Sequence, residues 1–253
     1  MQLTTKLSAA LLLALGSSTA FAAEAVNSEH QISGNIAVLS SYNSRGMTNS
    51  PENDKVTIQG GLDYSHASGF YAGYWGSTIG YSLTDYDDEV GDYTGSDTFE
   101  HDFYLGYNGS INADWGYNLG AVYYYYYESD ADADALESVL GVNYKNLSLT
   151  AQTLWNDVNW GNTGDTYLLA SYSHPLPRDF TLNTSLGVSY YNDDTSKYFD
   201  TTEDFGFRHF TAGLSHPLGN TGADMSVDMV FAGYNRVDEK QKNKGVLGLS
   251  YNF

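Results

Sequence analysis

The chain has no cysteine, so neither disulfides nor thiolate chemistry can hold or serve it. Basic residues are few: 11 Lys and Arg face 31 Asp and Glu, and a formal net charge of -20 argues against nucleic acid as a partner. Long apolar runs are missing as well. The stretch around Ala9 to Leu15 falls far short of the ~20 residues a spanning helix needs, and no later segment approaches that length. A membrane protein built from this chain therefore crosses with strands. Proline is scarce at four residues, whereas glycine (26) and tyrosine (23) are abundant. Tyrosine suits a lipid boundary, because its ring sits among headgroups while the hydroxyl stays wet.

The first 22 residues read as a secretory signal. One early cation, Lys6, precedes the apolar stretch, and Ala20-Phe21-Ala22 is the small-x-small pattern of a cleavage site. The expected domains are a signal peptide over 1–22 and a single β-barrel over 23–253. At the other end, Leu247, Leu249, Tyr251 and Phe253 alternate with Val246, Gly248, Ser250 and Asn252. Apolar residues at every second position give a strand one oily and one wet face. The terminal outward aromatic Phe253 is also the kind of C-terminal signal that barrel-assembly machinery reads.

Ten-residue alternating runs separated by turn chemistry give twelve candidate strands. They lie near 31–42, 55–64, 70–77, 98–107, 115–127, 135–144, 147–155, 165–173, 180–191, 205–214, 225–235 and 243–253. An even count is what bacterial single-chain barrels use. The connections near 65–69, 108–113, 145–146, 174–178 and 215–223 are compact, and the Lys145-Asn146 turn is very tight. These would be periplasmic. Those including 43–54, 79–97, 128–134, 192–203 and 237–242 are longer and rich in Asp, Glu and Asn, and would face outside. The expected fold class is all-β: one antiparallel transmembrane barrel of about 12 strands in the cell outer membrane. A soluble exported sandwich also alternates with period two, but it would show large aliphatics rather than Tyr, Phe and Trp toward its strand ends. In lipid only closure pairs every edge amide and carbonyl.

The segment Gly34-Asn35-Ile36-Ala37-Val38-Leu39-Ser40-Ser41-Tyr42-Asn43-Ser44-Arg45-Gly46-Met47 resembles the opening of the TorF-type porins of proteobacteria. In that family a Gly-Asn strand leads into Ser-x-Tyr-x-x-Arg-Gly. Gln59 to Tyr64 and Gly69 to Ser77 are similar to its next two strands, as are Glu100 to Gly106 and Gly116 to Tyr123. The likeness is strongest over about residues 34–127. Asn43-Ser44 is more polar than the family's usual filling. The resemblance implies an outer-membrane pore without an assigned substrate.

Projecting the alternation inward gives pore-lining candidates: Arg45, Asp63, Tyr71, Trp75, Glu100, Asp102, Tyr104, Glu137 and Asp228, with Asn35, Ser41, Thr57, Gln59, Asn118, Tyr124, Asn143, Asn183 and Tyr234. Acids outnumber the one arginine of this set. Carboxylates in a low-dielectric wall favour cations, so the expected function is passive, cation-leaning diffusion of ions or small polar solutes. Here Asp63, Glu100 and Asp102 would set the preference, Arg45 would oppose or organise them, and Tyr71, Trp75 and Tyr104 would narrow the path. The alternative is a braced interior in which those acids pair with Arg45 and tyrosine hydroxyls. Twelve strands leave only a slim lumen.

Other chemistries are weakly supported. An outward His101 and Ser138 are the raw material of a lipid hydrolase, but no Gly-x-Ser-x-Gly elbow accompanies them. The run Asp130-Ala131-Asp132-Ala133-Asp134 is not an EF-hand, because position six is Ala135 and position twelve is Gly141. These acids, like Asp85, Asp87, Asp88, Glu89 and Asp92, read as solvated loops or as loose divalent bridges to lipopolysaccharide. Gly60-Gly61 sits within a strand and implies no phosphate loop. No enzyme, metal centre or cofactor is expected. The expected partners are outer-membrane lipid, lipopolysaccharide, assembly machinery and the permeating solute. An adhesin-like barrel whose loops bind a surface partner is a further alternative.

Overall fold

In the computed structural model, residues 29–193 and 201–253 are described. The expected signal segment and most of the expected 192–203 loop lie outside them. The strands are β1 (His30–Leu39), β2 (Thr57–His66), β3 (Phe70–Thr78), β4 (Tyr86–Asp87), β5 (Asp92–Tyr93), β6 (Phe99–Ser110) and β7 (Trp115–Tyr126). They continue with β8 (Ala135–Tyr144), β9 (Leu147–Leu154), β10 (Thr166–Pro175), β11 (Thr181–Tyr190), β12 (Phe205–Pro217), β13 (Ala223–Ala232) and β14 (Lys244–Asn252). Twelve of them close into an antiparallel barrel, while β4 and β5 form a separate hairpin in the loop after β3. The short hairpin was not expected. All twelve expected strands are present, with ends displaced by at most three residues. No helix among the described residues is long and apolar enough to cross a membrane.

Alternation explains both walls. Ile32, Leu62, Leu105, Leu140, Val227 and Leu247 all point outward, Ile32 being 78% and Leu247 60% exposed. A belt of this kind all round a closed sheet is a lipid-facing surface, since water would leave it far larger than the apolar patch a soluble monomer tolerates. Outward aromatics ring both ends of the belt. Tyr107, Trp115, Tyr144 and Tyr172 lie near the short turns, and Phe99, Tyr123, Tyr190 and Phe205 near the long loops. The discriminator between lipid barrel and sandwich is thereby met, and the barrel is an outer-membrane one.

Closure is made by the chain ends. Strand β1 pairs with β14 from Asn35↔Asn252 to Leu39↔Gly248. Beyond that register Gly34 N donates to Phe253 O at 2.8 Å, and Phe253 N donates back to Gly34 O at 3.0 Å. Every barrel strand then has two neighbours, so no edge amide is left facing lipid.

The inner wall is polar and aromatic. Near the short turns, Tyr104 Oη donates to Asp63 at 2.5 Å, and Asn118 Nδ2 donates to Tyr71 Oη at 2.8 Å. The Tyr71 ring lies flat against the wall because inward Gly106 has no side chain. A Cβ there would collide with the Tyr71 hydroxyl.

Candidate functional site

The connection between β1 and β2, residues 40–56, folds into the barrel instead of standing above it. Ser41, Tyr42, Thr48 and Asn53 are buried. A tight turn at its tip, with Met47 N donating to Ser44 O at 2.8 Å, needs left-handed backbone at Arg45 (φ 49°) and Gly46 (φ 75°). A Cβ on Gly46 would meet the Arg208 carbonyl oxygen and the His209 side chain. Replacing Gly46 by alanine therefore combines left-handed strain with a backbone collision, costing the inserted loop about 1–3 kcal/mol. The expected result is trypsin cleavage after Arg45 in folded G46A at protease levels that leave the wild-type loop intact.

The tip reaches the far wall. Arg45 donates through Nη1 to Glu137 Oε1 at 2.8 Å and through Nη2 to Oε2 at 2.6 Å, a two-pronged bond to β8. In the circular strand order β8 stands across the barrel from β1. Arg45 Nη2 also donates to Tyr124 Oη at 3.1 Å, and its guanidinium lies 5.1 Å from the centre of the Tyr167 ring. Burial works against the Arg45 charge, and the adjoining Glu137 carboxylate more than restores it, so the guanidinium stays protonated.

The root of the loop is tied to the last connection of the chain. Gln241 Oε1 accepts from both Thr48 N and Asn49 N at 3.1 Å, and Lys244 Nζ donates to Asn53 O at 2.7 Å. Glu52 rides on the same loop. Burial pushes its carboxyl above the usual carboxylate range, with Glu239 and Asp54 adding to the rise against its own backbone amide. A raised acid favours the folded arrangement when protonated, so this contribution is present at low pH and is lost as pH climbs through the raised value.

Between loop and wall lies a cavity of about 400 Å³. It brings together four of the expected pore residues, Arg45, Glu100, Tyr124 and Glu137. Glu100 accepts from Tyr42 Oη at 2.9 Å and Tyr126 Oη at 3.0 Å. Asp63, Tyr71, Trp75, Asp102, Tyr104 and Asp228 are on the inner wall but do not line this cavity. Asp63 and Tyr104 pair with each other, as the braced reading expects. Asp102 is fully buried and neither of its carboxylate oxygens has a hydrogen-bond partner. Tyr234 is a correction: it is exposed at 46%, because it lies past the end of β13, where alternation stops.

The expectation of a single arginine also needs correcting. Arg208 and Arg236 line the same cavity. Arg236 Nη1 bonds Asp165 Oδ2 at 2.5 Å. Arg208 donates to Tyr191 Oη at 3.0 Å, to the Tyr234 carbonyl at 2.7 Å and, through Nε, to the Arg45 carbonyl at 3.2 Å. Arg208 escaped strict alternation because the β11–β12 register shifts at Gly187/Val188, pairing these with His209 and Phe207 and leaving Arg208 over. Arg208 and His209 are consequently both buried, although they are consecutive.

The hydrolase pair is not assembled. His101 is in register with Tyr125 of β7 and Ser138 with Ala121, four residues away, or about 13 Å along the wall. His101 is instead an interfacial ring, its Nδ1 2.9 Å from Tyr74 Oη. In the acidic loops, Asp130 accepts from Asp85 N at 2.6 Å and Asp134 from Tyr126 N at 2.9 Å, so both carboxylates organise backbone.

The model of the Gcw_chp family, described as a bacterial protein of unknown function, matches residues 22–253. The chain belongs to that family. No curated protein sequence matches it. Among solved structures, this Gcw_chp barrel is similar to the KdgM porin at 10% identity and a TM-score of 0.56, covering 87% of this chain and 99% of that one. It also overlaps the outer membrane channel DcaP of Acinetobacter baumannii at 10% identity and a TM-score of 0.44, covering 88% of this chain and 97% of that one. Outer membrane phospholipase A from Escherichia coli overlaps at 16% identity and a TM-score of 0.43, covering 87% and 88% of the respective chains. What the KdgM porin match shows is the barrel fold.

Proposed function

We propose that this Gcw_chp barrel is a porin of the TorF type, giving passive diffusion to ions or small polar solutes past a constriction made by its own first long loop. The observation that carries this reading is the cavity of about 400 Å³ inside a closed barrel, walled by charged and phenolic groups and crossed by Arg45. A polar cavity within a lipid-facing shell favours solutes that keep hydrogen bonds on the way through. The KdgM porin, with the same fold, bears the name of a pore.

Selectivity follows from the charges left after pairing. Arg45 is matched by Glu137 and Arg236 by Asp165, while Glu100, Asp102, Asp63 and Asp228 stand against Arg208. The balance is acidic, and the pore is cation-leaning. Residues 1–22 serve as the export signal, the long-loop end of the barrel faces the cell exterior with its first loop turned inward, and Phe253 is the handle for assembly machinery in a bilayer of lipid and lipopolysaccharide.

The test is single-channel conductance of refolded protein in a planar bilayer under a salt gradient, comparing wild type with Glu100→Gln/Asp102→Asn. Discrete steps with a cation-selective reversal potential that moves toward zero in the variant are expected. A heat-modifiable, folded barrel without steps would overturn the channel reading in favour of a structural barrel braced by the Arg45–Glu137 pair.

A further inference from the structure

We infer that Glu29, His30 and His66 form a binding site for a divalent transition-metal ion on the outer face of the barrel, at its short-turn rim. The β1–β2 register sets His30 directly opposite His66, so both imidazoles stand on one face, with ring centres 5.0 Å apart. That face is outward, since His30 follows the parity of Ile32 and Ile36, and His66 that of Ile58 and Leu62. The backbone continues the ladder one step further, with Ala67 N donating to Glu29 O at 2.9 Å. The Glu29 carboxylate is thereby brought to the histidines, its Oε1 3.2 Å from His66 Nε2. One ligand atom from each of the three residues lies within 4.8 Å of the other two.

The surroundings orient the rings as metal sites require. His30 Nδ1 is 2.8 Å from Tyr64 Oη, and the two rings stack with centroids 6.0 Å apart. His66 Nδ1 is 2.7 Å from Ser68 Oγ. These contacts, with Ser68 N also donating to His66 Nδ1 at 3.1 Å, hold the ring planes and turn the Nε2 side of His66 to Glu29; an ion bound through Nε2 requires the tautomer in which each Nδ1–H donates to its hydroxyl. Two imidazoles and one carboxylate form a mixed nitrogen and oxygen set suited to Zn²⁺, with Cu²⁺ and Ni²⁺ as chemical relatives. Hard Mg²⁺ and Ca²⁺ prefer oxygen alone. Glu29 and His66 side chains are 71% and 25% exposed, which leaves the ion a path from solvent.

Such an ion would act on the barrel seam. The ladder from β1 to β14 starts only at Gly34, so a clip between His30 and His66 fastens the beginning of β1 to β2 at the point where the barrel is sewn shut. The site is independent of whether the lumen conducts.

The experiment uses refolded chain of native sequence from residue 23, without a histidine tag, in detergent micelles after treatment with chelator. Zn²⁺ titrated by calorimetry should saturate one site, and Cu²⁺ should give an electron paramagnetic resonance spectrum with coupling to two nitrogens. His30→Ala and His66→Ala should each weaken Zn²⁺ binding by about tenfold or more, while His101→Ala and excess Mg²⁺ leave it unchanged. Heat-modifiability on gels verifies that each variant is folded. Absence of saturable Zn²⁺ binding, or equal binding by the folded His30→Ala/His66→Ala variant, overturns the proposal.

Discussion

Replacing Glu137 by glutamine is expected to raise single-channel conductance and to lengthen the open dwells of the channel. The physical reason is that a buried pair broken from one side leaves a charge without compensation. Glu137 is 1% exposed and the Arg45 side chain 20%, so the loss sits near the lower end of the roughly 3–5 kcal/mol measured for such breaks. Tyr124 and Gln152 remain as partners for Arg45, but they are neutral. The loop relieves the penalty by lifting its tip out of the barrel, and about 3 kcal/mol corresponds to a loop-out population some 10²-fold larger. Arg45→Ala should open the lumen to a similar extent. In the double variant the two effects should fall short of their sum, because each substitution removes the same contact. Conductance and dwell times identical to wild type in both single variants would show that the pair does not gate.

Asp102→Asn is expected to do the opposite of most core substitutions and stabilise the barrel. Both Asp102 oxygens are buried without a partner, and Glu100 lies two residues away on the same inner face. A buried polar group without a hydrogen bond costs about 1–3 kcal/mol, and more when charged. Asparagine keeps the cost of an unpartnered polar group but drops the excess that a charge adds, so the free energy of unfolding should rise by about 1 kcal/mol, read from urea titration in micelles. Cation preference should fall in the same variant. If stability instead drops by a comparable amount, the carboxylate is held by water or a permeating cation, and Asp102 is an ion site on the conduction path.

The sequence alone determined the barrel. Strand number, the tight Lys145-Asn146 turn, the compact and extended connections and the inward side of each regular strand all follow from period-two alternation between two unlike media. That signal is local: each residue reports its own surroundings, lipid or lumen, without knowledge of its neighbours across the sheet. Hence Asp63, Tyr71, Trp75, Glu100, Asp102, Tyr104, Glu137 and Asp228 could be assigned to the inner wall from parity, and the structure puts them there.

Only the tertiary structure decided what the inside of the barrel contains. Arg45 and Glu137 meet although 92 residues separate them, because a polar loop turned inward instead of outward. Its Asn-Ser-Arg-Gly composition suits either direction. Arg208 and His209 both face the lumen because one extra residue in β12 resets the parity, and a single extra residue leaves no mark in composition. Arg236 and Asp165 pair through loops in which alternation does not operate. Alternation fixes which wall a strand residue faces, but the path of a loop depends on partners that only the closed barrel brings within reach.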